Sequence, residues 1–387
     1  QLNGSYEILR IHEYLEGKLT LLREGNLIRT SYFRKRYWMS REMRYYPIII
    51  VLIGIAAFFF FIFLFDEEPL KEYAEKSDFL IGSAVRYDPL MKEEGYKEKI
   101  KEEFNVMTVE NEMKFSTIHP EPYVYDFTEA DAIVEFANEN NIKIRGHTLV
   151  HRSLPKWLTE GNYSKEEVRE ILESHIKTVV THYRGKVFAW DVVNEAFTED
   201  GEYRDNFWLR KLGPEYIKLA FKWAHEADPD ALLFYNDYDN EEVNKKSTAI
   251  YEHIKNIKSK GVPVHGVGFQ MHTTINHEFD FNSIKENMNR LAKSNLQVHI
   301  TELDIKLQNR TELTFEEKLE KQSDIYGDIL STCLSANNCK ALVMWGFTDK
   351  HSWIPKQTDT DDYPLIFDRN YDPKPSYDVL NDILSSQ

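Results

Sequence analysis

The chain has 387 residues, of which 42% are hydrophobic and 29% are charged, and its formal net charge at pH 7 is −16. This composition excludes a disordered or low-complexity protein. The negative charge argues against nucleic acid and against a strongly anionic polymer as ligand, because both require a basic surface. We therefore expect a globular protein whose ligand is neutral.

The first predicted element is an uncharged apolar segment at 47–65, about as long as a helix needs to cross the hydrocarbon core of a bilayer. Residues 34–46 are rich in Arg and Lys, which places the N-terminus in the cytoplasm. No small-residue cleavage site follows, so an anchor is favoured over a cleaved signal peptide. Residues 1–46 then form a basic segment that is either cytoplasmic or not native. Residues 66–387 form one extracytoplasmic domain, anchored as a type II membrane protein or secreted.

Eight short segments rich in β-branched and aromatic residues follow, separated by amphipathic segments of helical periodicity. The eight segments are 79–85, 104–110, 142–148, 187–195, 231–237, 264–271, 296–302 and 341–347. Eight β-then-α units in a domain of this length predict an α/β protein with a closed (β/α)8 barrel. An open doubly wound sheet is the alternative, but no glycine-rich phosphate loop follows the first segment.

Polar side chains and one indole end seven of the eight predicted strands. Because the active sites of such barrels lie at the C-terminal ends of the strands, these residues are candidates for a lined cleft. They are Glu110, Asn111, His147, Asn194, Glu195, Asn236, Asp237, Gln270, His272, Glu302 and Trp345.

Two of these residues, Glu195 and Glu302, end the fourth and seventh strands and are expected to face each other across the barrel mouth. Paired carboxylates that flank a bond are the apparatus of glycoside hydrolysis. One must be protonated to donate to the leaving oxygen, and the other must be ionised to attack the sugar or activate water. A structural salt bridge is the alternative interpretation of either glutamate alone.

Metal catalysis is a rival use of these strand ends, because four histidines lie in or just after predicted strands. They are His147, His151, His272 and His299. Strand alternation turns His299 away from the Glu302 side or places it lower in the barrel, and no His-x-His pair ends the first strand. We therefore expect a core histidine at position 299, and neither a metal ion nor another cofactor.

The two cysteines, Cys333 and Cys339, are separated by five residues. A disulfide can close this small loop in an oxidising compartment. Zinc is the alternative, which the spacing and the lack of a nearby His pair disfavour.

Several motifs, taken together and in this order, resemble glycoside hydrolase family 10, the endo-β-1,4-xylanases. The motifs are FNVMTVENEMKF (104–115), YDFTEADAIVEFANENNIKIRGHTLV (125–150), WDVVNEAF (190–197), LLFYNDYDNE (232–241), GVGFQMH (266–272), HITELDI (299–305) and MWGFTDKHSWIP (344–355). The resemblance covers the chain from about residue 66 to its end. It implies a barrel that hydrolyses internal β-1,4 bonds of xylan with retention, and we expect the catalytic domain to be monomeric.

The resemblance also implies roles for individual residues. Glu195 corresponds to the general acid/base and Glu302 to the nucleophile. His272 and Asp304 would orient the nucleophile, and Asn194 would bind the 2-hydroxyl of the sugar at the cleavage site. The other implied positions are Glu110, Asn111, Lys114, His147 and Gln270 on sugar hydroxyls, Trp345 and Trp353 over the sugar before the scissile bond, Tyr238 on the leaving-group side, and a family disulfide at Cys333–Cys339.

One departure from the family pattern follows RGHTLV. The family reads WHSQLP at this point, whereas this chain reads HRSLPKW, one residue shorter and without the Trp. No role is carried over to His151 or Ser153. Two rival functions follow: a related β-glycanase acting on mixed or substituted glucans, and a polysaccharide-binding protein without catalysis. The shortened loop suggests the binding protein, but retention of both glutamates argues against it.

Overall fold

The computed structural model describes residues 68–307, 312–358 and 361–387, and Glu68–Gln387 forms one compact unit. The predicted anchor at 47–65 and the basic segment at 1–46 lie outside the described residues. Within the described ranges, no helix has both the length and the apolar character needed to cross a membrane.

The centre of this unit is a closed barrel of eight parallel strands, and a ninth strand of three residues pairs with the end of one of them. The strands are β1 (Leu80–Val85), β2 (Val106–Val109), β3 (Lys143–Val150), β4 (Ala189–Asn194), β5 (Leu232–Asp237), β6 (Gly266–Phe269), β7 (His272–Thr274), β8 (Gln297–Lys306) and β9 (Cys339–Met344). Strands β1 to β6 pair in chain order, β6 pairs with β8, β8 with β9, and β9 with β1. The short β7 pairs with the end of β8. The predicted (β/α)8 barrel is confirmed.

Helices surround the barrel and bury their apolar sides against it. They are α1 (Leu70–Lys76), α2 (Tyr87–Lys92), α3 (Glu94–Glu103), α4 (Phe115–Ile118), α5 (Thr128–Glu139), α6 (Lys156–Thr159), α7 (Lys165–His182), α8 (Phe207–Leu212), α9 (Glu215–Ala227), α10 (Lys245–Ser259), α11 (Phe281–Ala292), α12 (Phe315–Leu334), α13 (Ile354–Thr358) and α14 (Pro375–Ser385), with a 3-10 turn at Asp349–His351. Capping boxes begin the two longest helices, at Ser164 and Thr314, and satisfy backbone donors that the first turn leaves free.

The seventh predicted strand is longer than the sequence indicated. It was expected to end at Glu302, but β8 continues to Lys306, so Asp304 lies within the strand. Leu303 and Ile305 are fully buried and continue the strand on the face opposite the carboxylates. This continuation places Glu302 and Asp304 on the same face, because side chains two residues apart in a strand point the same way.

Two smaller predictions are also confirmed. His299 is buried, and its ring packs 4.2 Å, centroid to centroid, from that of Phe234; burial lowers its pKa well below the usual value. Cys333 near the end of α12 and Cys339 at the start of β9 form a disulfide, with their Cα atoms 5.3 Å apart.

Candidate active site

Strand β4 delivers Glu195 to the rim where the strands end. All six residues of β4 are buried, and Glu195 follows immediately with φ of +58°, a left-handed conformation that non-glycine residues seldom adopt. Its backbone is fixed on both sides: its N–H donates to the carbonyl of Asn236 at 3.0 Å, and its carbonyl accepts from Arg204 Nε at 3.1 Å. The strained backbone therefore directs the Glu195 carboxylate away from the line along which β4 would continue.

Strand β8 delivers Glu302, which is 5% exposed. Its Oε2 lies 3.1 Å from Nε2 of His272, and Nδ1 of the same imidazole lies 2.9 Å from Oδ2 of Asp304. Burial lowers the pKa of His272, but the two carboxylates more than offset this and raise it to about 10. The imidazolium therefore donates to both carboxylates and holds Glu302 in place. Trp353 Nε1 also donates to Asp304, at 2.8 Å.

Side-chain amides connect the two glutamates. Asn236 Nδ2 donates to Glu302 Oε1 at 2.7 Å and to Asn194 Oδ1 at 2.9 Å. Asn194 Nδ2 and Gln270 Nε2 lie 3.4 Å and 3.5 Å from Glu195 Oε1, and Gln270 also donates to Asn194 Oδ1 at 3.2 Å. The structure therefore brings both carboxylates to one network at the same end of the barrel.

The shortened loop after β3 places two basic side chains beside Glu195. Nε2 of His151 lies 3.4 Å from Glu195 Oε2, and Arg152 Nη2 lies 3.6 Å from the same oxygen. Burial raises the pKa of Glu195, but His151, then Arg152 and Gln270, more than offset it, and the result is about 2. Ser153, which also belongs to this loop, instead contacts Ser116, Oγ to Oγ at 3.0 Å.

On the β2 side of the rim, Glu110, Asn111 and Lys114 form a chain of hydrogen bonds. Asn111 Nδ2 donates to Glu110 Oε1 at 3.1 Å, and Lys114 Nζ donates to Asn111 Oδ1 at 2.9 Å. The Lys114 ammonium lies 5.9 Å from the ring centroid of Trp345. Burial raises the pKa of Glu110. These groups form a polar wall beside an aromatic ring.

Two indoles and two imidazoles form the aromatic part of the site. The His147 ring stands edge-on to Trp345, with centroids 5.1 Å apart. The His272 ring is 6.2 Å from Trp345 and 5.2 Å from Trp353. His147 Nδ1 also lies 3.0 Å from Asp191 Oδ2, which orients this imidazole.

Tyr238 lies at the edge of the site rather than in the amide network. Its hydroxyl donates to Glu199 at 2.8 Å and accepts from Arg204 Nη2 at 2.6 Å. Burial, followed by Glu199, raises its pKa to about 12. Because Arg204 also binds the backbone of Glu195, Tyr238 lies on the Glu195 side of the cleft.

Sequence reasoning missed four contributors to this site, of which His151 was considered only as a possible metal ligand. Asn236 was identified as a strand end but was given no role, although its alternation with buried Tyr235 in β5 was a usable signal. Asp191 was missed because it lies inside β4 and reaches the site only through His147. Arg152 was missed because its contact with Glu195 depends on the path of the shortened loop, which no periodicity predicts.

The described part of the chain contains no group of three or more His, Cys, Asp or Glu side chains arranged to hold a metal ion. What it does contain is a barrel rim with one buried glutamate, Glu302, and one partly buried glutamate, Glu195, together with amides that can bind hydroxyls and flanking aromatic rings. These features define a glycoside hydrolase site.

Comparison with known proteins gives the family. The family model described as glycosyl hydrolase family 10 matches residues 69–383. Endo-1,4-beta-xylanase B of Thermotoga neapolitana is 46% identical over 325 residues, covering 83% of this chain and 93% of the relative. This chain is a member of glycosyl hydrolase family 10.

Solved structures of two xylanases are also similar to this chain in sequence and fold. Native xylanase 10B of Thermotoga maritima is 45% identical with a TM-score of 0.80, covering 82% of this chain and 98% of the other. Xylanase 10B of Thermotoga petrophila, solved in complex with xylobiose, is 46% identical with a TM-score of 0.80, covering 82% of this chain and 97% of the other.

Proposed function

We propose that this glycoside hydrolase is a retaining endo-β-1,4-xylanase in which Glu302 is the nucleophile and Glu195 the general acid/base. The observation that carries the proposal is the amide network that joins both carboxylates through Asn194, Asn236 and Gln270. Retention requires carboxyl groups about 5–5.5 Å apart, without space for an inverting water between them. The xylanase names of the relatives and the xylobiose complex of one structural neighbour support xylan as the polymer.

In the first step, Glu302 attacks the anomeric carbon while Glu195 gives its proton to the departing glycosidic oxygen. This forms a glycosyl ester on Glu302 and releases the leaving-group sugar. In the second step, Glu195 removes a proton from water, the water oxygen attacks the same carbon, and the ester bond breaks. The configuration is inverted twice and is therefore retained, and both glutamates return to their starting states.

The surrounding residues have matching roles in the proposal. His272 and Asn236 each donate to one oxygen of Glu302 and hold the nucleophile, while Asp304 orients His272. Asn194 would bind the sugar 2-hydroxyl, a contact that strengthens in the transition state. The remaining positions are Glu110, Asn111, Lys114, His147 and Gln270 for sugar hydroxyls, Trp345 and Trp353 for stacking, and Tyr238 for the leaving group.

Glu195 must change protonation state between the two steps. Its lowered pKa keeps the carboxyl ionised, as the second step requires of a base. The first step needs a proton on it, so a bound sugar must raise the pKa by excluding water and weakening the contacts with His151 and Arg152.

The experiment is reducing-sugar release from xylan and from β-glucan by the wild type and three amide variants. We expect xylan to be the better substrate. Glu302→Gln should abolish release, and Glu195→Gln should lower it about 10²–10⁴-fold, the usual contribution of a general acid. Glu103→Gln is the control, because Glu103 is equally buried but lies at the opposite end of the barrel. Faster release from β-glucan, or full activity of Glu302→Gln, would falsify the proposal.

We also propose that the enzyme acts outside the cytoplasm, tethered to a membrane or secreted. The Cys333–Cys339 disulfide and the uncharged segment at 47–65 support this location. External protease added to intact expressing cells should degrade the barrel domain if it is tethered there. Full protection, with no enzyme in the medium, would contradict the location.

A further inference from the structure

A second cavity lies on the outer flank of the barrel, between the segments that follow β2 and β3 and the start of α7. Its volume is about 250 Å³, and none of its lining residues belongs to the candidate active site. This is below the ~300–1,000 Å³ of sites for drug-sized ligands, so the cavity suits one or two small rings of a longer chain.

Four aromatic side chains and His119 make up half of the residues that line the cavity, and contacts fix all of these rings except Tyr123 before any ligand binds. The Tyr125 ring stacks on His119 at 4.2 Å between centroids. Trp157 Nε1 donates to the His119 carbonyl at 3.1 Å, and the Tyr163 ring stands edge-on to Trp157 at 6.2 Å. Rings that are already ordered cost little entropy on binding.

Packing does not account for the exposed ring of Tyr123, which lies at the mouth of this cavity. Its side chain is 96% exposed, and its backbone has φ of +64°, a strained conformation for a bulky residue. The tight turn between Glu121 and Val124 holds it there. Here a strained backbone holds a large aromatic ring in solvent. Such an arrangement indicates a binding surface rather than a packing role.

The polar groups of the cavity define the ligand further. Glu167 and Glu170 line it, together with Ser174 but with no Lys or Arg among the described lining residues, so an anionic ligand is disfavoured. Both ring nitrogens of His119 are buried and lack a partner within the described structure. Carboxylates and a hydroxyl beside flat rings suit a neutral ring that carries hydroxyl groups.

We propose that this cavity is a second carbohydrate site, which binds one or two pyranose rings of a β-1,4-linked glycan apart from the catalytic glutamates. Pyranose rings present C–H groups to aromatic faces and hydroxyls to carboxylates. The segment that follows β2 also carries Glu110, Asn111 and Lys114 of the cleft. A site on its outer side therefore holds polymer close to the barrel mouth. The identity of the glycan as xylan rests on the proposed function.

The test is calorimetric titration of xylohexaose into the full chain carrying Glu302→Gln, which prevents turnover. We expect two sites in this background. Adding Tyr123→Ala should weaken the second site about threefold to tenfold, in line with the loss of one aromatic contact. Adding Glu170→Gln should also weaken it, because a charged hydrogen-bond acceptor in the cavity is lost. The control is Phe315→Ala, an aromatic residue that is 46% exposed outside the cavity. Because Tyr123 is almost fully exposed, its replacement leaves the fold intact.

Three other outcomes would overturn the proposal. The first is a single site in the Glu302→Gln background, and the second is two sites that Tyr123→Ala leaves unchanged. The third is displacement of xylohexaose from the second site by tetramethylammonium at a concentration where xylotriose displaces none. The last result would indicate a cation site. The kcat/KM of Tyr123→Ala in the otherwise wild-type enzyme should stay within twofold on xylotriose and fall on insoluble xylan. If the wild type releases no sugar, the proposed function fails, yet the titration still reports on the cavity.

Discussion

Asn236 shows how one side chain organises the chemistry at the residue scale. Its amide nitrogen serves Glu302 and Asn194 together, and its oxygen accepts from Thr301 Oγ1 at 2.7 Å. The residue is fully buried, so the amide cannot exchange these partners for water. Its orientation is fixed because the Glu302 carboxylate only accepts hydrogen bonds, so the amide nitrogen must face Glu302 and the amide oxygen faces Thr301.

We expect Asn236→Ala to lower kcat on xylan about 10-fold to 100-fold, because a hydrogen bond to a charged group contributes about 1.5–3 kcal/mol. Steady-state kinetics measure the effect of the substitution on kcat, and urea unfolding measures its effect on stability. Thr301→Val is the matched control, since it leaves the amide nitrogen bound to Glu302, and its loss of kcat should be smaller. Equal losses in the two variants would contradict the role of the amide.

Arg152 gives a second prediction at this scale. Its charge favours the ionised form of Glu195, so Arg152→Ala should raise the pKa of that carboxyl. A general acid that keeps its proton to higher pH moves the basic limb of the kcat/KM profile upward. Because the Arg152 side chain is 66% exposed, salt should weaken the effect.

The measurement is the pH profile of kcat/KM for wild type and Arg152→Ala at low and high ionic strength. The expected difference is largest at low salt. A basic limb that stays in place or moves to lower pH would show that Arg152 does not act on Glu195.

At the scale of secondary-structure elements, periodicity predicted the eight strands because buried strands of a barrel read as short apolar segments. It misjudged the end of β8, because the acidic pair Glu302 and Asp304 interrupts the apolar pattern while the strand continues. It gave no signal for β7, which has three residues and exists because His272 pairs with Asp304. The roles of Glu195 and Glu302 came from their strand ends and from the family resemblance together.

At the scale of these elements, we predict how much stability the disulfide between α12 and β9 contributes. Closing a loop of this length removes chain entropy worth about 2 kcal/mol from the unfolded state. The Cys333→Ala, Cys339→Ala double variant should therefore lose about that much unfolding free energy in urea. It should keep its kcat at low temperature, because Cys339 starts β9 at the end of the barrel opposite the glutamates. A selective loss of kcat with unchanged stability would contradict this.

At the scale of the whole molecule, buried titratable groups set how stability depends on pH. Burial raises the pKa of Asp237 and Asp349 to about 6 and that of Glu241 to about 7. These carboxyls hold protons more tightly when folded, so their contribution to stability falls as pH rises through those values. Fully or partly buried histidines act in the opposite direction. Burial lowers the pKa of His119 and His253 to about 4.

A histidine whose pKa is lower in the folded state contributes stability that is fully present above its unfolded value of about 6.5 and is lost as pH falls towards 4. For His253 this loss amounts to about 2 kcal/mol between pH 7 and pH 5. Between pH 7 and pH 5, we therefore expect the unfolding free energy of His253→Gln to fall by about 2 kcal/mol less than that of the wild type. His277→Gln is the control, because that side chain is 51% exposed. An equal pH dependence in wild type and His253→Gln would rule out this assignment.

The account as a whole depends on Glu195 and Glu302 acting from opposite sides of one glycosidic bond in two successive displacements. The most direct measurement is proton NMR of the first products released from xylan, taken before mutarotation mixes the anomers. We predict that the β-anomer appears first and the α-anomer grows in later by mutarotation. First appearance of the α-anomer would mean a single displacement by water, and it would contradict the assignment of Glu302 as the nucleophile.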